Sequence, residues 1–393
     1  MTPLPATFDP IDLYGWFETL TPEEDARRRA LRAVLERDIA PVADAHWERG
    51  TFYHEALAGF HAHDPLRHWF DDGATNRTMV DGLVSLELAR VDPSMASYFG
   101  VHGGLCFGSI ALLGSDAQRA EWLPALRRFE RIGCFGLTEP EVGSGVARGL
   151  TTTCRRDGDA WVLDGEKKWI GNATFADVVT VWARDVDDGQ VKGFLVRTTT
   201  PGYAARLMNG KIAQRALASG WITLTGCRVP EDDRLPGARS FADTARVLGA
   251  ARIGVAFQAV GCAMGAYEHA LRYARTREQF GRPIGGFQLV QMMLVKMAGN
   301  VTAMLGMALR AARLQDAGRA TDAHTSLAKQ FCAARCRETV QLARELMGGN
   351  GVLLEHGAAR LFCDAEAIYS YEGTNEVTAL VVGRALTGTG AFA

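Results

Sequence analysis

Glu372 is the residue of this chain whose surroundings most clearly indicate chemistry. It lies between tyrosines and a glycine, in the predominantly apolar run IYSYEGTNE at 368–376. A carboxylate in such a place is either an accident of the surface or a general base, because apolar surroundings favour its protonated form and raise its pKa. The rest of the sequence favours the general base.

Length and composition limit the classes of function that this residue could serve. The chain has 393 residues, 47% of them hydrophobic, so it can bury a large core and should divide into two or three domains. The formal net charge of -2 creates no overall field that favours nucleic acid or an anionic membrane. We also expect no membrane span, since crossing a bilayer takes an apolar run of about 18–20 residues.

The cysteines and the residues at the two ends of the sequence indicate the cellular compartment of the protein. Eight cysteines are scattered without a CxxC pair, and we expect them to be small buried apolar residues rather than metal ligands. Residues 1–5 lack the basic-then-apolar pattern of a secretory signal. Residues 390–393 are not a peroxisomal signal of the Ser-Lys-Leu type. The sequence therefore predicts a reduced, cytoplasmic protein without a metal site.

Three regions of different character must position Glu372. Residues 1–133 have helical periodicity, which begins where Thr21 precedes acidic residues as an N-cap. Residues 134–242 contain β-branched and aromatic runs separated by Asp-Gly turns, which predict a small antiparallel β-domain. Residues 243–393 return to helical patterns, at about 243–276, 286–316, 322–349 and after Thr374. The predicted fold is mainly α with a middle β-domain, in α–β–α order, and ends in a four-helix bundle.

Five motifs become specific when they are taken together. They are TEPEVGS at 138–144, KWIGN at 168–172, REQFGRPI at 277–284, MGGNG at 347–351 and YEGT at 371–374. In this order they resemble the acyl-CoA dehydrogenase family along essentially the whole chain, and most closely its glutaryl-CoA dehydrogenase-like branch and the plant short-chain acyl-CoA oxidases. The resemblance implies the acyl-CoA dehydrogenase fold, assembled as a homotetramer.

The same resemblance implies a non-covalent FAD between the β-domain and the C-terminal helices. Its contacts on the flavin side would be Phe135, Leu137, Thr138, Ser144, Trp169, Ile170 and Gly171. Its other contacts, which for Arg277 and Gln288 would cross a subunit boundary, would be Arg277, Phe280, Gln288, Glu345, Leu346, Met347, Gly348, Gly349, Thr374, Asn375 and Glu376. These residue types suit the task, because a guanidinium binds phosphate oxygens in bidentate geometry and a helix N-terminus favours an anion.

The resemblance further implies α,β-dehydrogenation of a saturated acyl-CoA, of short or branched chain, to a trans-2-enoyl-CoA. Glu372 would remove the α-proton as hydride leaves the β-carbon for the flavin, and the amide of Glu372 would help to hold the thioester oxygen. Some family members place the base just before the matching arginine, but residues 248–252 read LGAAR, without an acid. An electron-transferring flavoprotein would then reoxidise the flavin. The implied substrate contacts are Ser144, Leu248, Arg252, Tyr371 and Gly373.

Three positions depart from the family pattern. Ala96 stands where glutaryl-specific enzymes have an arginine that pairs with the distal carboxylate, so we discount glutaryl-CoA and decarboxylation. Gly171 replaces the usual threonine after Trp-Ile. The oxidase branch also tends to have glycine at this position, and the change would open space for dioxygen. Gly145 replaces the usual aspartate and would alter a local turn.

Other classes of function stay open. An acyl-CoA oxidase would pass the electrons to dioxygen and form hydrogen peroxide. Flavin monooxygenases and nitroalkane oxidases share the fold, although the monooxygenases typically lack the carboxylate at the position of Glu372. A non-catalytic acyl-CoA-binding protein is a further alternative, which the intact flavin motifs and the retained base disfavour.

Overall fold

The computed structural model describes residues 9–71 and 73–391. The prediction about a secretory signal rests on residues 1–5, and the one about a peroxisomal signal rests partly on residues 392–393. Both sets lie outside the described residues, so the cytoplasmic location stays a prediction. Within the described residues the order of elements is helices, then a sheet, then helices.

The N-terminal region is helical because strong start signals precede its apolar faces. The hydroxyl of Thr21 accepts from the amide of Glu24 at 3.2 Å, and the Glu24 carboxylate accepts from the amide of Thr21 at 2.9 Å. The predicted N-cap is thereby confirmed. The helices of this region are α1 Pro22–Asp38, α2 Ala40–Arg49, α3 Ala58–Ala62, α4 Arg77–Val91, α5 Pro93–Phe99, α6 Gly108–Leu113 and α7 Asp116–Arg127, with π-helical turns over Gly100–Phe107.

Seven strands form one sheet in the middle of the chain. They are β1 Gly133–Gly136, β2 Thr153–Asp157, β3 Ala160–Gly171, β4 Val178–Asp185, β5 Val191–Arg197, β6 Tyr203–Leu207 and β7 Ser219–Pro230, and the short helix α8 Val146–Gly149 precedes β2. The order is β1-β4-β2-β3-β7-β6, and β5 also pairs with β4. Most neighbours are antiparallel as predicted, but β4 is parallel to β1 and β2. The prediction of a purely antiparallel sheet is wrong there, because the chain between these strands is long enough to return β4 in the same direction.

The C-terminal region contains five helices instead of the predicted four. They are α9 Phe241–Thr276, α10 Gln288–Asp316, α11 Asp322–Leu346, α12 Ala358–Ser370 and α13 Asn375–Thr387, with the hairpin of β8 Glu278–Gln279 and β9 Arg282–Pro283 between α9 and α10. The sequence pattern does not predict α12, which is short and follows the glycine-rich turn after α11. Helix α12 buries Leu361, Ala365 and Ile368 on one face, and the candidate base comes directly after it.

Helix α9 lies at the centre of the helical core. Its 36 residues span about 54 Å. Helix α4 packs closely against it, because a Cβ added at Gly261 would collide with the carbonyl oxygen of Leu86, and one at Gly265 with that of Arg90. These two glycines therefore set the separation of α4 and α9.

A buried charge network joins α4 to α1. The carboxylate of Glu87 is fully buried and accepts from Arg28 Nη1 at 2.9 Å, Arg32 Nε at 2.9 Å and Arg90 Nε at 3.1 Å. Burial by itself would raise the pKa of Glu87, but the three guanidinium groups lower it below its ordinary value. Glu87 thus pairs with three cations. Two of them have further carboxylate partners, since Arg28 also pairs with Asp25, and Arg90 also pairs with Glu36 and Glu268.

A second buried carboxylate joins all three regions of the chain. Asp364 on α12 accepts from the indole Nε1 of Trp47 on α2 at 2.8 Å and from the amide of Gln214, ahead of β7, at 2.5 Å. Gln214 has φ 45, in the left-handed region. Burial raises the pKa of Asp364 above its ordinary value. The N-terminal helices, the sheet and the C-terminal helices therefore meet at one side chain.

Three helical stretches have the length and hydropathy of a membrane span by composition alone: Pro93–Leu113, Phe241–Thr276 and Gln288–Asp316. Apolar stretches of spanning length therefore exist in the chain, because the interior of a large protein also accommodates long apolar helices, and the expectation of no membrane span stays a prediction. The most apolar window is 67% buried inside the protein in the first two stretches and 39% buried in the third. The third exposes Leu289, Met292 and Val295.

Candidate active site

The carboxyl group of Glu372 stands on a left-handed turn between α12 and α13. Glu372 has φ 56 and Gly373 has φ 89, and the first value is unfavourable for a residue with a side chain. The Oε2 atom of Glu372 is buried without a hydrogen-bond partner among the described residues, although the residue as a whole is partly exposed. Burial raises its pKa to about 7, against the lowering effect of Arg252 and Lys329. A carboxyl group with such a pKa can accept a proton near neutral pH.

Two cations from neighbouring helices face this turn. Arg252 on α9 donates from Nη1 to Ser326 Oγ at 3.2 Å, while its Nε is buried without a partner among the described residues. Lys329 on α11 donates to the carbonyl oxygens of Tyr369 and Gly373, each at 2.8 Å. Burial lowers the pKa of Lys329 to about 8, although the nearby glutamate opposes this shift. The predicted substrate residue Leu248 lies one turn before the arginine on the same face of α9.

A cluster of neutral polar side chains adjoins the base. Tyr371 donates from its hydroxyl to Gln258 Oε1, and Ser97 Oγ donates to Gln214 Oε1 at 2.8 Å. Gln258 Nε2 donates to the carbonyl oxygen of Ala96 at 3.3 Å. All of these side-chain contacts are made by uncharged groups. The surroundings of Ala96 thus contain neutral hydrogen-bonding groups.

The β-domain brings together several residues that are predicted to face the flavin. The amide of Lys168 donates to the carbonyl oxygen of Thr138 at 2.8 Å, so the loop after β1 is fixed to β3. Strand β3 has a register shift between Lys167 and Ile170, and Trp169 within it has φ 66. This bulge turns Trp169 outward, and the residue is 58% exposed. Phe135, Leu137, Ile170 and Gly171 are buried, whereas Ser144 is exposed in the turn before α8.

A buried ion pair holds the loop that carries Thr138. Lys167 Nζ lies 2.9 Å from Glu139 Oε1 and also donates to the carbonyl oxygen of Leu137 at 3.1 Å. The same carboxylate accepts from the amides of Thr151 and Thr152 at 2.6 and 2.8 Å. Burial alone would raise the pKa of Glu139, but the lysine and the threonines lower it to about 2. Both ends of the loop are therefore tied to one ionised carboxylate.

The space beside Gly171 is occupied. A Cβ at this position would lie 3.2 Å from Val101 Cγ2 and 3.7 Å from the methyl groups of Leu217. Val101 belongs to the π-helical turns between α5 and α6. The prediction that Gly171 opens space for dioxygen is wrong on this side, because the valine and the leucine fill the space that the missing threonine side chain would leave.

The residues predicted to contact the diphosphate and adenine form a separate group. Asn350 Nδ2 donates to Tyr273 Oη at 2.9 Å, and the amide of Arg277 donates to the carbonyl oxygen of Tyr273 at 2.8 Å. The turn after α11 therefore lies beside the end of α9. Leu346, which belongs to this group, lies about 25 Å along α11 from Lys329, which is beside Glu372. Arg277, Phe280, Gln288, Glu345, Gly348 and Gly349 are exposed, and Leu346 and Met347 are buried. One chain thus holds the predicted cofactor residues in two places.

Both groups have features that fit a flavin dinucleotide. Beside the base, the Oδ1 atom of Asn375 is buried without a partner in the described part of the chain, at the N-terminus of α13. Thr374 is the N-cap of this helix, and its hydroxyl accepts from the amide of Val377 at 3.2 Å. At the far end, a Cβ on Gly348 or Gly349 would meet nothing within 4 Å. The first group can hydrogen-bond a ligand, and the second leaves room for a ligand to approach the backbone.

Several residues that shape the site are not among the predicted site residues. Lys329, Gln258, Lys167 and Glu139 all make buried polar contacts there. Lys329 leaves a signal in the sequence, because Cys332, Ala333 and Cys336 at helical spacing place the lysine on an otherwise apolar face. The other three leave no comparable signal, since their partners are distant in sequence.

Comparison with known proteins defines the class of enzyme. Models of the N-terminal, middle and C-terminal domains of acyl-CoA dehydrogenases match residues 21–130, 134–227 and 241–387. The chain belongs to the acyl-CoA dehydrogenase family, a family of oxidoreductases. The predicted family and fold are confirmed.

Individual relatives cover most of the chain. It is 31% identical over 371 residues to a 3-(aryl)acrylate reductase of Clostridium sporogenes (strain ATCC 15579), covering 92% of this chain and 98% of that protein. It is 33% identical over 301 residues to the mitochondrial short-chain specific acyl-CoA dehydrogenase of Mus musculus, covering 75% and 73%. A glutaryl-CoA dehydrogenase of Mycobacterium smegmatis in complex with FADH2 has a TM-score of 0.94 and 34% identity, covering 98% and 99%. The predicted FAD agrees with the cofactor of this last structure.

Proposed function

We propose that the protein is an FAD-dependent acyl-CoA dehydrogenase that acts on a short or branched saturated acyl-CoA and forms the trans-2-enoyl-CoA. The observation that carries this proposal is the carboxyl group of Glu372, whose Oε2 is buried without a partner among the described residues and whose pKa burial raises to about 7. When bound, FAD supplies the acceptor for the hydride that leaves the β-carbon.

The residues around Glu372 have different roles in binding the substrate and in the reaction. Glu372 accepts the α-proton, and because its Oε2 has no competing partner in the described part of the chain, this oxygen can act as the proton acceptor. The amide of Glu372 holds the thioester oxygen, on which negative charge grows as the proton leaves. Arg252 and Ser144 hold the CoA portion, and the buried Nε of Arg252, which has no partner within residues 9–71 and 73–391, is a donor for it. Leu248 and Tyr371 flank the acyl group and exclude water from it.

The neutral side chains near the base support a neutral acyl group. Ala96, Ser97, Gln214, Gln258 and Tyr371 supply hydrogen-bonding groups without a formal charge. Burying a second carboxylate among these uncharged side chains would be costly. Glutaryl-CoA is therefore disfavoured, even though solved glutaryl-CoA dehydrogenases share the fold.

The two separated groups of cofactor residues support assembly of several subunits. In a homotetramer, FAD would bind between the Glu372 group of one subunit and the Arg277 group of another. Apolar residues near that second group are exposed, with Phe280 at 92%, Leu289 at 71% and Val295 at 70%. Burying them between subunits would remove this apolar surface from water. Sedimentation analysis tests the assembly, and a monomer that retains FAD would contradict it.

The reduced cofactor requires an electron acceptor, for which we propose an electron-transferring flavoprotein. Val101 and Leu217 occupy the space beside Gly171, which supports restricted access of dioxygen. The exposed Trp169, on the face of the β-domain that is predicted to meet the flavin, offers a contact surface for a redox partner.

Anaerobic reduction of the flavin tests the proposed reaction. The yellow holoenzyme should bleach when it is mixed with saturated acyl-CoAs of C4 to C6 or branched chains, and the product should be the enoyl-CoA. Glu372→Gln should keep FAD and bind acyl-CoA but lose at least about 10³-fold of the bleaching rate. Glu355→Gln removes an exposed carboxylate and should react like the wild type.

The same experiment separates the alternatives. Slow recolouring in air, with rapid recolouring on addition of an electron-transferring flavoprotein, supports the dehydrogenase. Rapid recolouring in air with release of peroxide would instead identify an oxidase. Failure to bleach with every saturated acyl-CoA would refute both, and full activity of Glu372→Gln would refute the assignment of the base.

A further inference from the structure

Lys329 is a fully buried lysine whose ammonium group bridges the two sides of the turn that carries Glu372. Its Nζ atom donates at 2.8 Å to the carbonyl oxygen of Tyr369, in the last turn of α12, and at 2.8 Å to that of Gly373, just before α13. Carbonyl groups at the C-terminal end of a helix have no partner within the helix, and a cation there is favourable. Lys329 therefore completes the end of α12 and links it to the start of α13.

The turn between these two carbonyl groups needs an anchor. Glu372 and Gly373 are consecutive residues with positive φ, at 56 and 89. A non-glycine residue in this conformation is strained and persists only when its surroundings hold it. The two hydrogen bonds from Lys329 enclose both residues, so they restrain the backbone on each side of the base.

We propose that Lys329 is a positioning residue for the reaction: it fixes the left-handed turn that carries Glu372, and its positive charge favours the ionised form of that carboxylate. This inference rests on the proposed function of Glu372 as the base. It assigns no contact between Lys329 and the substrate or the cofactor, since Lys329 acts through the turn.

The charges that face Glu372 come from three helices. Arg252 lies on α9, Lys329 on α11 and Glu376 at the start of α13, where it acts on Lys329; the phenol of Tyr371 is adjacent in the chain. Arg252 is itself held by Ser326, one turn before Lys329 on α11. Helix α11 therefore positions both cations. Of the two, only Lys329 also bonds the backbone of the turn.

The sign of the charge effect follows from the groups present. Burial raises the pKa of Glu372 to about 7, while Lys329 and Arg252 oppose this rise. Lys329 has a pKa lowered to about 8 by burial, so it is mostly protonated at the pH where Glu372 ionises. Removing the lysine removes an opposing charge, and the pKa of Glu372 should then rise further above its ordinary value.

Two substitutions separate the charge of Lys329 from its hydrogen bonds. Lys329→Met keeps the length of the side chain but removes both the charge and the donors. Lys329→Gln removes the charge and keeps an amide donor for one of the carbonyl groups. Lys192→Met is the matched control, because Lys192 lies on β5 and its carboxylate partners are Asp185 and Asp188 rather than groups of the turn between α12 and α13. Bound FAD per subunit and the thermal midpoint report folding for each variant.

The pH dependence of kcat/KM measured on the holoenzyme is the first readout. In the wild type it should rise through about pH 7, and in both Lys329 variants the midpoint should move up by about one unit or more. Lys329→Met should also lose about 10- to 100-fold in kcat with KM changed less than about threefold, because the base is displaced while substrate contacts remain. Lys329→Gln should keep more of kcat than Lys329→Met.

An infrared titration gives a second readout that needs no substrate. The carbonyl band of the protonated Glu372 carboxyl is identified as the band that is absent from the spectrum of Glu372→Gln. The pH at which half of this band is lost should be higher in Lys329→Gln than in the wild type. An unchanged midpoint in both titrations would overturn the proposal, as would variants that lose kcat only in proportion to lost FAD. If the wild type oxidised no acyl-CoA, the proposed function would fail, but the infrared midpoints would still decide the role of Lys329.

Discussion

Replacing Glu372 by glutamine should stabilise the folded protein at pH 8 and leave its stability unchanged near pH 4. Burial raises the pKa of Glu372 from 4.5 to about 7. Below pH 4.5 the carboxyl group is protonated in both the folded and the unfolded chain, so a neutral amide changes little. Above pH 7 it is ionised in both, and only the folded chain bears the cost of burying the charge. At about 1.4 kcal/mol per pKa unit, that cost is about 3 kcal/mol.

Urea unfolding at pH 4, 6 and 8 measures this cost on the protein without acyl-CoA. The free energy of unfolding of Glu372→Gln should exceed that of the wild type by almost nothing at pH 4 and by about 3 kcal/mol at pH 8. Glu355→Gln, which replaces an exposed carboxylate, should show no such trend. A difference in unfolding free energy that stays constant with pH, or a glutamine variant that is less stable than the wild type at pH 8, would refute the reasoning. It would show that burying the ionised carboxyl group does not destabilise the folded protein.

Three further predictions, each with its own substitutions, test the packing that positions the site. Gly261→Ala should lose about 1–3 kcal/mol of unfolding free energy, because its methyl group meets a carbonyl oxygen of α4, whereas Gly299→Ala on the open face of α10 should gain about 0.5–1 kcal/mol. Glu87→Ala should lose about 2–4 kcal/mol in urea unfolding, because three guanidinium groups lose hydrogen bonds to a buried carboxylate while Arg28 and Arg90 keep their other carboxylate partners, and a loss under about 1 kcal/mol would contradict this. Gly171→Thr should lower bound FAD per subunit and the thermal midpoint, and adding Val101→Ala should restore both if steric conflict is the cause.

Much of the fold could be predicted from local patterns in the sequence. The N-cap at Thr21 and the alternation of helical and strand-like regions depend on neighbouring residues, so they are visible without any tertiary contact. The local neighbours of Glu372 suggest a base, and the resemblance of the five ordered motifs to the family favours this role over an accident of the surface. The environment of Glu372 in the structure agrees with that prediction, because its Oε2 is buried and no described residue bonds to it.

Other features could not be predicted because they depend on residues far apart in the sequence. The parallel pairing of β1 with β4 joins strands that are separated by a hairpin, and local alternation does not report strand direction. The filled space beside Gly171 comes from Val101, on a different region of the chain. Lys329 contacts the turn after α12, so its role is visible only when α11 and α12 are packed together.

Asp364 restricts how parts of related enzymes can be recombined. An exchanged β-domain will dock on these helices only if position 214 adopts a left-handed conformation and presents its amide to Asp364, and if position 47 keeps an indole donor. The flavin-side residues belong to the sheet, whereas Glu372 follows the helix that carries Asp364. A chimera that loses this junction would therefore keep both sets of site residues but change their positions relative to one another. The activity of such a chimera would depend first on how its β-domain docks on the helices, and only then on the identity of the residues in the site.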